Sequence, residues 1–376
     1  MKFVVEKDTL IAGLQQVINI VGQKLTMPIL SNVLIEAIAV KNQIALSTTN
    51  LDLGIRCTVT AKVERSGNIT LPVKKFASII KALPEREVTC TLEDEVYVHL
   101  SSGGSRFKIL GLASDEFPQL PSLDMGQSIT LNQMQFLRML KSISYAQSKD
   151  ENRYILNGVY FLAENHCIHF IATDGRRLAV ISSEITDDDL KKSAIVPAKT
   201  IGELERILGI GENVQILITE KQIAFLIGVE TNDDHGICDS IYVVSKIVEG
   251  KYPNYKQVIP SVSDYRIHFD REQLLSVVQR VALVADEKNY SVRLKFSNCL
   301  LEISAQSSMY GEARENLSVT YEGEAIEIAF NPQFLIDPLK VLTNDEIFFE
   351  FKNELSPGII KNNDTFLCVV MPLRLN

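Results

Sequence analysis

Three segments of the chain share one plan, and this internal repeat limits the possible folds more than any single motif does. FVVEKDTLIAGLQQV from Phe3, ITLNQMQFLRMLKSI from Ile129 and IHFDREQLLSVVQRV from Ile267 each read as a short alternating strand running into a helix. Their apolar positions superimpose without gaps. Leu10, Phe136 and Leu274 share one position; Leu14, Leu140 and Val278 lie four residues on, and Val17, Ile143 and Val281 three beyond those. That i, i+4, i+7 spacing predicts one buried face per helix. Glu6, Asn132 and Asp270 stand at the helix entries, where a polar side chain meets the unpaired N–H groups of the first turn; Asn and Asp suit that task better than Glu.

A second strand-to-helix unit recurs in each third: ITLPVKKFASIIKAL from Ile69, AIVPAKTIGELERIL from Ala194 and IAFNPQFLIDPLKVL from Ile328. Aligned at Pro72, Pro197 and Asn331, all three reach a leucine eleven residues later, at Leu83, Leu208 and Leu342. Pro338 falls inside the third of these helices, where a kink is expected. Alternating β runs fill the intervals, and SSGG from Ser101 between two of them reads as a hairpin turn. Two Pro-punctuated linkers, residues 117–128 and 251–265, separate the thirds and resemble one another, FPQLP against YPNY. The expectation is α+β, with two helices and about eight antiparallel strands in each of three domains, at 1–125, 126–260 and 261–376.

Composition narrows the class. With 46% hydrophobic and 23% charged residues, the 376-residue chain is neither disordered nor collagen-like. Its apolar runs, 223–229 and 366–373, fall far short of the ~20 residues that span a bilayer. The N-terminus carries Glu6, Lys7 and Asp8 before any signal-type core forms, so the expected location is cytoplasmic. Six dispersed cysteines without a CxxC pair predict buried free thiols. A net charge of −9 argues at first against a nucleic-acid partner, but the charges are not evenly spread. The predicted helices and their ends hold Lys7, Lys24, Lys74, Lys75, Lys81, Arg138, Lys141, Lys149, Lys199, Arg206, Arg271, Arg280 and Lys340, against Asp8, Glu203, Glu205, Asp270, Glu272 and Asp337. The helices are net basic within an acidic chain, which suits phosphates read without base contacts.

Several motifs now carry a family resemblance: the opening MKF, MPILSN from Met27, LNG from Leu156, ATDGRRLA from Ala172, YPNY from Tyr252 and VVMPLRL from Val369. In order and spacing across the chain they resemble the β subunit of bacterial DNA polymerase III, the replicative sliding clamps. The resemblance implies three tandem clamp domains per chain and a head-to-tail homodimer closing a six-domain ring around double-stranded DNA without sequence specificity. It implies no cofactor, no metal and no catalytic residue. Lys24, Lys74, Lys149, Arg153, Tyr154 and Lys199 match positions where the family meets DNA. Phe107 and Ile109 are implied to meet Leu283 and Val284 of a second copy, with Arg106 and Lys74 facing acids near Glu302, Glu312 and Glu315. On alternation alone the four apolar residues also read as core.

A groove between the second and third domains is implied as the docking site for the polymerase α subunit, the clamp loader complex, and other polymerases and repair proteins with clamp-binding motifs. Its matching positions are Leu156, Thr173, Gly175, Arg176, Arg177 and Leu178, then Pro253 and Val258, then Asn331 and Phe334, and finally Val369, Val370, Met371, Pro372, Leu373 and Arg374. An apolar floor with an adaptable Met suits varied extended peptides. Arg176 stands where the family often has His, and Gln257 where it has Arg or Lys, which bears on peptide preference at the rim. A nucleic-acid-processing enzyme using Asp174 and Glu164, and a scaffold that binds peptides alone, are the competing readings. Against the first, TNLD from Thr49 parallels TDGR from Thr173 and points to a structural turn, and His166 and His169 face opposite ways on an alternating strand. The stretch 230–239 reads as an exposed polar loop.

Overall fold

The computed structural model describes residues 1–22, 27–185, 191–230, 236–286, 290–362 and 365–374. In the first repeat β1 (Lys2–Glu6) leads into α1 (Lys7–Val17), then β2 (Asn32–Ile38), β3 (Gln43–Thr49), β4 (Leu53–Thr60), β5 (Lys62–Arg65), β6 (Gly67–Pro72), α2 (Val73–Ala82), β7 (Glu87–Glu93), β8 (Tyr97–Ser102) and β9 (Ser105–Leu110). The second runs β10 (Ile129–Asn132), α3 (Gln133–Ser144), β11 (Gly158–Glu164), β12 (Cys167–Thr173), β13 (Arg177–Glu184), β14 (Lys192–Pro197), α4 (Ala198–Ile207), β15 (Asn213–Ile218), β16 (Gln222–Gly228) and β17 (Ile237–Lys246). The third runs β18 (Tyr265–Asp270), α5 (Arg271–Ala282), β19 (Val292–Ser297), β20 (Leu300–Ser307), β21 (Gly311–Ser318), β22 (Ile326–Phe330), α6 (Pro332–Val341), β23 (Glu346–Phe351), β24 (Gly358–Lys361) and β25 (Phe366–Val370). The three tandem domains are thus mixed α and β on one plan.

The shared helix positions behave alike. All nine aligned apolar residues of α1, α3 and α5 are buried, as are Leu83, Leu208 and Leu342 just past the ends of α2, α4 and α6. Asp270 accepts from the Gln273 amide at 2.7 Å and Asn132 from the Gln135 amide at 3.1 Å, while Glu6 makes no such cap and instead meets Arg86 at 3.2 Å. Helix α6 continues through Pro338, which supplies no N–H to the Phe334 carbonyl.

Three expectations change. Of the six cysteines expected to be buried, Cys167 is half-buried and Cys299 exposed, the latter because Asn298 and Cys299 form a left-handed turn (φ 46° and 59°) between β19 and β20. His166 is not on a strand; with Asn165 it makes the same kind of turn before β12 (φ 51° and 58°). The stretch 230–239 is not all loop, since β17 begins at Ile237; residues 231–235 lie outside the described part.

The chain forms two compact units. In the first (Met1–Leu137 with Gly202–Ile247), a five-stranded sheet runs β5-β1-β7-β8-β9 and an eight-stranded one β10-β15-β16-β17-β4-β3-β2-β6, with α1 packed on α2. In the second (Arg138–Ile201 with Val248–Asn376), an eight-stranded sheet runs β14-β11-β12-β13-β25-β24-β23-β18 and a four-stranded one β21-β20-β19-β22, with α5 packed on α6. Neighbouring strands run antiparallel throughout the described sheets. Each eight-stranded sheet joins two successive repeats edge to edge, through β4·β17 in one unit and β13·β25 in the other.

Candidate functional site

The turn between β12 and β13 is built by side chains that satisfy its own backbone. Thr173 Oγ1 accepts from the Gly175 amide at 3.1 Å and donates to the Arg177 carbonyl at 2.5 Å; Asp174 Oδ1 accepts from the amides of Arg176 and Arg177 at 2.9 and 3.0 Å. Gly175 sits at φ +85°, a conformation that favours glycine. The turn presents Arg177, whose side chain is only 9% exposed and makes a hydrogen bond from each of its three nitrogens. Its Nε meets Asp174 Oδ2 at 3.1 Å, one terminal nitrogen meets Asp337 Oδ2 at 2.6 Å, and the other donates to the Tyr145 carbonyl at 2.6 Å. The planar group also lies 4.6 Å from the Phe334 ring centre and 5.1 Å from that of Tyr145. Burial lifts the Tyr145 hydroxyl well above its usual range and the Cys368 thiol to about 12, so neither ionises near neutrality.

Strand β25 docks beside this turn, with Arg177 opposite Val370 and Leu178 opposite Val369. Beyond the strand, the Met371 amide donates to the Arg176 carbonyl at 3.0 Å and the Leu373 amide to the Ala329 carbonyl at 2.8 Å. Beneath lies an apolar floor of Ile171, Leu178, Ile195, Tyr252 and Val369, packed by Leu156, Ile155, Tyr160 and Tyr255 among others; the Tyr160 and Tyr252 rings stack at 4.7 Å. Around it Pro253, Val258, Gly175, Arg176, Met371, Leu373 and Arg374 are exposed, and Thr173, Phe334 and Pro372 half-buried. Asn331 caps α6 by accepting from the Gln333 amide at 2.9 Å, which fixes the helix carrying Phe334. Val369 and Val370 are both buried, and alternation turns the Val370 side chain to the face opposite Val369. The sequence reading missed the roles of Tyr145, Ile171, Ile195 and Asp337. The Asp174 to Arg177 spacing was the available signal.

The basic positions fall into two sets. Lys74, Lys149, Lys199 and Arg153 are exposed and Tyr154 is 58% exposed, whereas Lys24 lies outside the described residues. Arg153 ties itself to the turn by donating to the Asp174 carbonyl at 3.2 Å. Other cations hold the fold together: Lys7 donates to the Leu83 carbonyl at 2.7 Å, Arg206 meets Glu203 at 2.9 Å and the Gln16 carbonyl at 2.6 Å, and Arg280 meets Glu315 at 2.6 Å. The six helices carry eleven basic against five acidic residues. Among the described residues no three His, Cys, Asp or Glu side chains gather as a metal-holding group, and no helix is long and apolar enough to cross a membrane.

Strands β9 and β21 are edge strands of their sheets. On β9, Phe107 is 39% exposed and Arg106 exposed, but Ile109 is buried at 8%; it faces the core from the position opposite Val98 and belongs to this chain's own interior. Past α5, Leu283 is 82% exposed and Val284 half-buried. Glu315 is taken by Arg280, and Glu302 approaches Arg314 at 3.4 Å, so of the three acids Glu312 is the exposed one.

Family models for the DNA polymerase III beta subunit match along the chain, the N-terminal domain at residues 1–121, the central domain at 130–254 and the C-terminal domain at 256–374. The beta sliding clamp of Chlamydia muridarum is 32% identical over 377 residues, covering all of both chains. Among solved structures, the DNA polymerase sliding clamp of Bacillus subtilis superimposes with a TM-score of 0.92 at 28% identity, and the Pseudomonas aeruginosa sliding clamp bound to griselimycin with 0.91 at 30%, each over the full length of both chains.

Proposed function

The chain belongs to the DNA polymerase III beta subunit family, the sliding clamps, and from that premise we propose how its own residues encircle DNA and hold partners. A sliding clamp is a non-catalytic processivity factor; it acts by topology and tethering. The observation that carries the ring is the pairing rule between repeats. The fourth described strand of the first repeat, β4, pairs with the last strand of the second, β17; likewise β13 of the second pairs with β25, the last of the third. The equivalent strands left over are β21 of the third repeat and β9 of the first, both sheet edges. Applied once more, the rule pairs β21 of one chain with β9 of another, head to tail, and two such chains close a ring of six domains. Phe107, Arg106, Lys74, Leu283 and Val284 flank that closing contact, with Glu312 as the exposed acid.

The helices supply the lining for double-stranded DNA. Their net charge of +6 inside a chain of −9 leaves −15 elsewhere, so phosphates are drawn to the helices and repelled from the remaining surface. Lys24, Lys74, Lys149, Arg153, Tyr154 and Lys199 are proposed to face the duplex without reading bases. For a chain that works on replicating DNA, the cytoplasm is the proposed location. Loaded onto nicked circular DNA, the protein should be retained and should run off once the circle is cut; equal release from both templates would overturn encirclement and favour a scaffold that binds peptides alone.

The groove around Arg177 is proposed to take extended peptides of the polymerase α subunit, the clamp loader and other clamp-binding proteins. Its floor of Leu178, Val369 and Leu156 and its rim of Met371, Val258 and Phe334 match the apolar, adaptable chemistry such peptides need. Deleting residues 371–376 should abolish peptide binding in a fluorescence titration while the dimer persists. Unchanged affinity would overturn the placement.

A further inference from the structure

The turn that carries Arg177 has a counterpart in the first unit, bond for bond. Thr49 Oγ1 accepts from the Leu51 amide at 3.0 Å and donates to the Leu53 carbonyl at 3.1 Å, as Thr173 does with Gly175 and Arg177. Asn50 Oδ1 accepts from the amides of Asp52 and Leu53 at 3.0 and 2.8 Å, as Asp174 does from Arg176 and Arg177. The Lys246 amide donates to the Asp52 carbonyl at 2.7 Å, as the Met371 amide does to Arg176. Register therefore puts Gly54 where the groove has Leu178, and Val244 where it has Val369. Beside Leu120, which is among its lining residues, a pocket of about 140 Å³ remains open here.

What differs is the linker residue beside it: in the aligned linkers Leu120 stands where the groove has Tyr255, which packs against the floor cluster. A Cβ on Gly54 would fall 2.3 Å from Leu120 Cδ2 and 3.4 and 3.5 Å from its Cγ and Cδ1, so the isobutyl group of Leu120 occupies the space above the glycine. Pro118 and Pro121 bracket that leucine and restrict the linker. The Tyr242 hydroxyl pins it by donating to the Pro121 carbonyl at 2.8 Å. At the rim Lys246 meets Asp52 at 3.0 Å, where the groove carries Met371 and Arg176.

We propose that this first junction is a second peptide pocket of the same build, partly filled in cis by Leu120 above Gly54, so that each chain offers one full groove instead of two. The proposal rests on the groove reading above. Its ligand class is a branched aliphatic side chain on an extended backbone, of which Leu120 is the resident example. The test titrates N-acetyl-leucine N-methylamide into the full-length protein with ¹³C-labelled Leu and Val methyls. Leu120→Ala should bind one more equivalent per chain than wild type, with new shifts on Leu53 and Val244. Adding Gly54→Leu, which refills the space from the strand side, should remove that extra equivalent. No gain with Leu120→Ala overturns the proposal; failure of the groove reading looks different, because wild type then binds nothing while the gain of one remains. In wild type, independent of any variant, nuclear Overhauser contacts between the Leu120 methyls and the Gly54 α-protons are expected, and their absence also overturns it.

Discussion

Replacing Arg177 by Ala would leave Asp174 and Asp337 facing each other without their cation, and the Tyr145 carbonyl without its donor. Breaking a buried ion pair from one side costs about 3–5 kcal/mol, and these carboxylates are 19% exposed, so a loss near ~3 kcal/mol is expected in urea unfolding. Arg177→Lys should recover only part of it, because an ammonium keeps the charge but loses the planar stacking on Phe334 and the fixed fork. Asp174 was within reach of sequence reading, three residues from Arg177. Asp337 was not: it lies 160 residues away and meets the guanidinium only once β13 and β25 are paired. A second residue-scale effect concerns His169, whose pKa is held below the ordinary 6.5, chiefly by burial and further by Lys256, with Glu164 opposing. The folded state then binds fewer protons than the unfolded one. Stability from this group is complete above about pH 6.5 and falls as pH drops toward the lowered folded-state value. Melting temperature should therefore decline as pH falls below about 6.5 more steeply in wild type than in His169→Gln. Parallel pH profiles would show that His169 does not set this slope.

At the scale of elements, three copies of one helix entry provide an internal comparison. Asp270 and Asn132 each accept a backbone amide of the first turn, whereas the Glu6 side chain turns away to Arg86. Asp270→Ala should accordingly cost about 1 kcal/mol, and Glu6→Ala clearly less, since it removes only an exposed ion pair. Chemical denaturation of both variants checks the order. These entries were readable because local chemistry decides them, and so were the buried faces of α1, α3 and α5, which follow from spacing. The hairpin turn at Gly103 and Gly104 was readable for the same reason. Fusion of sheets across repeats was not, because the partners β4 and β17 lie far apart in sequence and apolar alternation fits an edge strand as well as a central one. Ile109 shows the limit of the resemblance: it implied a contact with a second copy, whereas alternation alone read the residue as core, and the residue is buried within its own chain. The floor residues Ile171 and Ile195 read only as generic core until Tyr252 was stacked beside them.

For the whole molecule, the net charge of −9 first argued against a nucleic-acid partner and then, sorted by element, came to support one. The same chain must also close on a second copy, and the edge strand β9 gives that step a specific test. A two-residue turn joins β8 to β9, so Ser102 and Ser105 form the closing hydrogen-bonded pair and pairing alternates from there. His99 and Lys108 then form a non-bonded pair, and the Lys108 amide points away from β8, toward whatever extends the sheet. Lys108→Pro removes that outward donor and leaves the β8·β9 ladder whole; proline is tolerated on an edge strand, and the further loss is the contact of the Lys108 ammonium with the Tyr97 ring at 4.1 Å. The neighbouring change Phe107→Pro would instead break a ladder bond inside the chain. If β9 is the strand that meets β21 of a second copy, Lys108→Pro should sediment near the 42.1 kDa of one chain with unchanged circular dichroism, and wild type near twice that mass. A Lys108→Pro protein that remains dimeric at low micromolar concentration would place the closing contact elsewhere, because Lys108 supplies the middle one of three outward amides, between those of Arg106 and Leu110, and a ladder along β9 would run through it.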